Sequence, residues 1–159
     1  MSSASTSRSL YIPALGSLYD GIEKLGVPLI RFGAGMTLMP HGAQKLFGAF
    51  GGGGIEGTTR FFASVHVEPA GFLAVLVGCT EFFGGLMLAF GLLTRFAAGA
   101  IAIQMGYIVF VMLWHNGYFL TPRSTGGFEF ALLWGICALG FALAGGGRYS
   151  LDRAIGKEL

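Results

Sequence analysis

The sequence predicts an all-α membrane protein, an up-down-up-down four-helix transmembrane bundle with an amphipathic interfacial segment in its first outer loop. Three observations lead there. Four apolar stretches, at 27–47, 69–92, 96–119 and 128–144, each come near the roughly 20 residues that cross a hydrocarbon core about 30 Å thick. Charged residues make up only 11% of the 159 residues and the mean hydropathy is +0.68, whereas soluble domains carry about a quarter charged residues. Into the stretches the sequence sets Arg31, His41, Lys45, Glu81, Gln104, His115 and Glu129, which would be costly facing lipid and belong in the bundle interior, with a partner, or at the water interface.

Residues 1–26 read as a tail. The opening MSSASTSRSL lacks the apolar core of a cleavable signal peptide, so the first span is expected to serve as its own insertion signal. Tyr11, Ala14, Leu15, Leu18 and Ile22 recur at helical spacing with Asp20 and Glu23 off the stripe, which predicts a short helix on the membrane surface. In the first span, Pro40 removes one backbone hydrogen bond just before His41. The resulting kink either opens a pocket or serves packing.

The connection from Gly48 to Glu68 begins with four glycines, Gly51 to Gly54. No Lys-Ser/Thr follows, so a flexible linker is expected rather than a phosphate loop. Ile55, Phe61, Phe62 and Val65, with Thr58, Thr59 and Arg60, then predict an amphipathic segment on the outer leaflet. Gly91 to Arg95 reads as a tight turn and Leu120 to Gly127 as a polar loop. Short connections make antiparallel neighbours. The transmembrane domain thus covers 27–147 and a second tail 148–159. Arg8, Lys24, Arg95, Arg148, Arg153 and Lys157 share one side of this scheme, so both termini are expected in the cytoplasm of a bacterial cell, with the protein multi-pass in the inner membrane.

Each span has one polar or small face. On the first, Arg31, Gly35, Leu38, Gly42 and Lys45 align with His41 beside them; on the others Gly78, Glu81 and Gly85, then Gln104, Val111 and His115, then Glu129, Leu133, Ile136 and Gly140 group together. By depth, Arg31 and Glu81 are expected to form an intramembrane pair with Gln104 nearby, either fixing helix register or handling a proton or ligand. His41, Lys45, His115 and Glu129 collect toward the outer face.

Several classes are disfavoured. A formal charge of +2, dispersed along the chain, gives no basis for nucleic acid as partner. Cys79 and Cys137 form no ligand-like pattern and read as buried small residues. Glu-x-x-His is absent, so no metal centre is expected, and two histidines are a thin basis for haem. Without a flavin or dinucleotide fingerprint, no cofactor is held by a motif of this chain, and electrons would come from another protein.

The stretch RFGAGMTLMPHGAQKLFGAFGG, then EFFGGLMLAFGLLTRFAAG, a third span ending WHNGYF, GGFEFALL and the exit GGGRYSLDR together resemble the DoxX family of small bacterial membrane proteins. The resemblance implies a four-helix inner-membrane protein related to the DoxD subunit of thiosulfate:quinone oxidoreductase. Its recurring positions map onto Arg31, His41, Gly42, Lys45, Glu81, Gly85, Gly91, Arg95, Glu129, Ser150 and Asp152. The DoxD enzyme has a separate small partner, DoxA, which no segment here replaces.

The leading reading is therefore a quinone-linked membrane redox subunit or accessory of an oxidoreductase complex. Its quinone or ligand candidates are His41, Lys45, His115 and Glu129, because a quinone head group needs hydrogen-bond donors and a group that titrates. The alternatives are a scaffold for soluble partner proteins and a small-solute or ion transporter. Its partners would be the bilayer, a quinone, and a soluble redox protein or further copies of the chain.

Overall fold

A computed structural model describes residues 10–119 and 126–157. Among them the chain is helical and contains no strand. After a 3₁₀ turn at Pro13–Leu15, helix α1 runs Gly16–Phe47, α2 Gly54–Ser64, α3 Ala70–Phe90, α4 Thr94–Asn116, α5 Glu129–Ala144 and α6 Leu151–Ile155. Helices α3 and α4 are long and apolar enough to cross a membrane; α5 is apolar but shorter, at 16 residues. Helix α1 has 32 residues and continues through both Pro28 and Pro40.

The ends follow from local chemistry. Gly48 closes α1 and Gly91 closes α3, both left-handed (φ 70° and 69°), the conformation that terminates helices and suits glycine. The Glu68 carboxylate accepts the Ala70 amide at the start of α3 (2.8 Å), and Ser150 accepts the Arg153 amide at the start of α6 (3.2 Å), each satisfying a donor that a helix N-terminus leaves open. Within α3 and α4, the stretches Thr80–Gly84 and Ile108–Leu113 are π-helical turns, a geometry that adds a residue to the turn and re-aims the side chains beyond it.

Small residues bring α1 onto α3. A Cβ added to Gly35 would collide with the backbone of Gly85 and Ala89, and one added to Gly42 with that of Phe82, so the two helices run antiparallel in close contact. Helix α4 lies antiparallel to α5, with Arg95 Nη1 donating to the carbonyls of Ala142 (3.0 Å) and Leu143 (2.6 Å). Leu38 of α1, Leu88 of α3, Ile101 and Val109 of α4 and Ala138 and Phe141 of α5 share one apolar core. Phe62 of α2 is buried with Val67, Ala70 and Ala74, so α2 lies over the start of α3.

Two expectations change here. The stripe over Leu10 to Ile22 does not form a helix of its own: from Gly16 onward it is the opening of α1, because nothing between Ile22 and Val27 stops the helix. The four-glycine run is a built turn. Gly52 lies so close to the end of α1 that a Cβ there would meet Gln44, the Gln44 amide donates to the Phe50 carbonyl (3.2 Å), and Gly54 already begins α2. The polar loop expected at Leu120 to Gly127 falls mostly outside the described residues, and with it Pro122, Arg123, Ser124 and Thr125.

Candidate functional site

Two polar clusters interrupt the apolar body, and α1 contributes a cation to each. The first surrounds Glu81, which sits in the π-helical turn of α3 with its side chain only 5% exposed. Lys45 Nζ meets Glu81 Oε2 at 2.5 Å, and Gln104 Nε2 of α4 donates to Oε1 at 2.8 Å. Lys45 is 27% exposed, so its stem spans the distance from the buried carboxylate to the surface. The Thr58 hydroxyl of α2 donates to the Gly54 carbonyl (2.8 Å) and lies 3.4 Å from that of Lys45, which sets α2 against the same turn of α1. The Gln104 Oε1 atom is buried without a partner among the described residues. Such an acceptor is costly to leave open and is ready to take a hydrogen bond from water or a ligand.

The second cluster joins the opposite ends of the same helices. Arg31, 2% exposed, donates through Nη1 to the Gly146 carbonyl and through Nη2 to the Tyr149 carbonyl (2.6 Å). Asp152, also 2% exposed, accepts from the Leu93 amide (2.6 Å), the Thr94 amide (2.9 Å) and the Thr94 hydroxyl (2.7 Å), while its own amide donates to the Gly91 carbonyl (2.9 Å). The carboxylate thereby caps α4 and holds Leu93 in the left-handed region (φ 46°), a conformation costing a residue with a side chain on the order of 1 kcal/mol. Gly91 has no room for a side chain, since a Cβ would meet Ser150 and the Arg31 guanidinium. Burial alone would raise the Asp152 pKa, but the Thr94 and Leu93 hydrogen bonds and the Arg31 charge outweigh it and hold the carboxyl below its usual value.

The expected Arg31–Glu81 pair does not form. Because Gly35 faces Gly85 and Ala89 while Gly42 faces Phe82, Arg31 stands beyond Ala89, about ten residues or ~15 Å along α3 from Glu81. Lys45 lies one turn past Gly42, and side chains lean toward the N-terminus of a helix, which carries its ammonium back to Glu81. Gln104 lies beside Glu81.

The four quinone candidates lie toward one end of the molecule. Lys45 is committed to Glu81. His41 is exposed, with its ring 6.4 Å from that of Phe130. His115 is exposed in the 3₁₀ turn that ends α4, and Glu129 opens α5 half-buried. The Phe128 and Glu129 amides donate to the carbonyls of Gly117 (3.2 Å) and Tyr118 (3.1 Å), which sets the ends of α4 and α5 at one level. Cys79 and Cys137 are free thiols. Among the described residues no group of three His, Cys, Asp or Glu side chains could hold a metal.

Reading by residue depth missed the cap made by Asp152. Its signal was present as a single aspartate two residues after a serine, following a glycine-rich exit, in the run GGGRYSLDR.

Two outcomes follow from these clusters. Asp152→Ala should cost on the order of 3 kcal/mol, since it removes a buried anion, three accepted hydrogen bonds and the cap together. A carboxyl whose folded pKa is depressed contributes fully above its unfolded value of about 3.9 and loses that contribution as pH falls through the folded value. The stability gap between wild type and Asp152→Ala in detergent should therefore be flat above about pH 4 and shrink below it. For the other cluster, Lys45→Met should destabilise by about 2 kcal/mol, less than a fully buried pair because the ammonium reaches solvent, and adding Glu81→Leu should recover most of it. Arg31→Leu and Glu81→Leu should instead be additive; thermal unfolding of the variants separates the two cases.

The region from 26 to 114, more than half of the chain, matches the DoxX family model. Over 135 residues, 84% of this chain and 90% of the relative, it is 30% identical to a Bacillus subtilis protein named "Putative oxidoreductase CatD". Over 87 residues, 54% of this chain and 64% of the relative, it is 32% identical to a Haemophilus influenzae protein described only as uncharacterized. No solved structure matches it. The family match, spanning both polar clusters' contributions from α1 and α3, and the extended similarity to a named relative have one conclusion: the chain is a membrane protein of the DoxX family.

Proposed function

We propose that this protein is a quinone-linked redox subunit of the bacterial inner membrane, crossing the bilayer four times through α1, α3, α4 and α5 with both termini in the cytoplasm. The observation that carries the reading is the Glu81 carboxylate, held by Lys45 and Gln104 inside an apolar body at a π-helical turn. Intramembrane ionisable groups mark proton or ligand paths, and π-helical turns recur at functional sites. The relative named as an oxidoreductase supports the same class.

Reducing a quinone to a quinol takes up two electrons and two protons. The electrons would come from a soluble partner protein, because no cofactor fingerprint occurs in the chain. The protons and the hydrogen bonds to the head group are what this chain supplies. His41 and Lys45 provide donors at the outer end of α1; His115 and Glu129 flank that level on α4 and α5. Glu81 lies one layer deeper, where a carboxyl can exchange a proton with the Lys45 ammonium, and Gln104 Oε1 offers an open acceptor to a quinol hydroxyl.

Purified full-length protein should bind a quinone analogue. His41→Ala, Lys45→Ala and Glu129→Gln should each weaken binding by roughly tenfold or more, equivalent to about 1.4 kcal/mol. Arg153→Ala, exposed at the opposite end, should bind as wild type does. If wild type binds no quinone, or the three variants bind unchanged, the redox reading fails and a scaffold for soluble partners becomes the better one.

A further inference from the structure

Every residue from Ser17 to Val27 is exposed. The body of the protein begins only where Val27 approaches Gly147 and Arg31 reaches Gly146, so the opening of α1 extends past it with its large apolar side chains exposed. Such a segment has little reason to stay helical alone. Its helicity is a continuation of α1, and three residues weaken it: Gly21 and Gly26 each cost about 1 kcal/mol relative to alanine, and Pro28 removes a backbone donor. A covering partner resolves this, and the residue spacing identifies its kind.

Leu18, Ile22, Leu25, Leu29 and Phe32 follow one another at steps of four, three, four and three, the a/d spacing of a coiled-coil seam. Their exposures are 53%, 48%, 53%, 71% and 47%. Isoleucine at the a position (Ile22) with leucine at d (Leu18, Leu25) is the combination that favours two parallel strands. At 100° per residue, Asp20, Glu23 and Lys24 centre about 190° from the seam, so the seam carries no charge.

We propose that this seam is a homodimer interface, in which the α1 helices of two copies pair in parallel about a two-fold axis. Three features select a second copy over other occupants. The seam continues past Val27 along the outward face of α1 to Phe32, so its occupant must be apolar and helical both outside and inside the proposed bilayer boundary. A soluble protein would match only the first part and lipid only the second, whereas another copy, inserted the same way, presents an identical seam at the same height and in the same direction. Identical uncharged faces also meet without like-charge repulsion. The exposed seam amounts to roughly 500 Å² per copy, so that a pair buries at most about 1,000 Å², the lower bound for a specific interface.

The inference does not depend on quinone chemistry, and its test reads association alone. In full-length protein with Cys79 and Cys137 replaced by alanine, single cysteines would be placed at Ile22, Leu25 and Leu29 on the seam and at Asp20 and Lys24 off it, then oxidised in native membranes. Disulfide-linked dimer is expected at the seam positions in roughly tenfold excess over the other two, the periodicity a parallel coiled coil imposes. Equal linking at all five positions, or none at the seam, overturns the proposal. Absent linking together with labelling of the seam by a lipid-soluble thiol reagent would assign the face to the membrane surface instead. As a second measurement, Ile22→Glu with Leu25→Glu should halve the protein mass of the detergent-solubilised particle while helical content is kept; an unchanged mass counts against the interface.

Discussion

Charge buried in an apolar helical body must be paired, because a lone ion taken out of water costs several kcal/mol. Here that constraint is met twice, and α1 supplies the cation both times. Lys45 reaches across to Glu81 at one end, and Arg31 ties the carbonyls of Gly146 and Tyr149 beside Asp152 at the other. Between them lie Gly35 and Gly42, where α1 meets the backbone of α3 directly. The polar contacts at the two ends and the glycine contact between them fix both the height and the rotation of α1 against its neighbours.

The two clusters have different chemical character. The Asp152 carboxylate accepts three hydrogen bonds from Leu93 and Thr94 with the Arg31 charge near it, and although Arg31 Nε is itself buried without a partner among the described residues, the cluster joins the α3–α4 turn to the segment after α5. That is an architecture for holding a fold closed. The Glu81 cluster has fewer bonds, one open acceptor on Gln104 and a lysine that reaches the surface. A buried carboxylate next to an open acceptor and a lysine that reaches the surface is where ligand or proton exchange is cheapest to arrange, which is why the proposed quinone chemistry is centred there and not on Asp152.

Much of this was legible in the sequence. Apolar stretches located α3, α4 and α5 to within a few residues, and the grouping of Arg31, Gly35, Leu38, Gly42 and Lys45 on one face of the first span matches the side of α1 that turns inward. The beginning of α1 was not legible, because an amphipathic stripe reads alike whether it lies on a membrane or prolongs a spanning helix. The partner of Glu81 was misread for a physical reason as well. Depth counted from span ends treats every turn as regular, whereas the pairing is set by where the glycines let α1 and α3 touch and by the direction in which the lysine leans. Asp152 escaped because helix capping across 58 residues of sequence separation leaves no periodic trace. DoxX-type motifs marked both Arg31 and Asp152 as recurring positions without revealing that they share a site.

The account as a whole depends on the two clusters lying toward opposite leaflets of a bilayer, with α2 on the outer side, the Lys45–Glu81 pair in the outer half of the membrane and the Arg31–Asp152 cluster at the cytoplasmic side. The most direct measurement is labelling by a membrane-impermeant thiol reagent of single cysteines at Arg60, exposed on α2, and at Lys157, with Cys79 and Cys137 replaced by alanine. In intact cells the cysteine at position 60 should label and that at 157 should label only after permeabilisation, as an even number of spans with a cytoplasmic basic tail requires. Labelling of both positions from the same side would contradict the account.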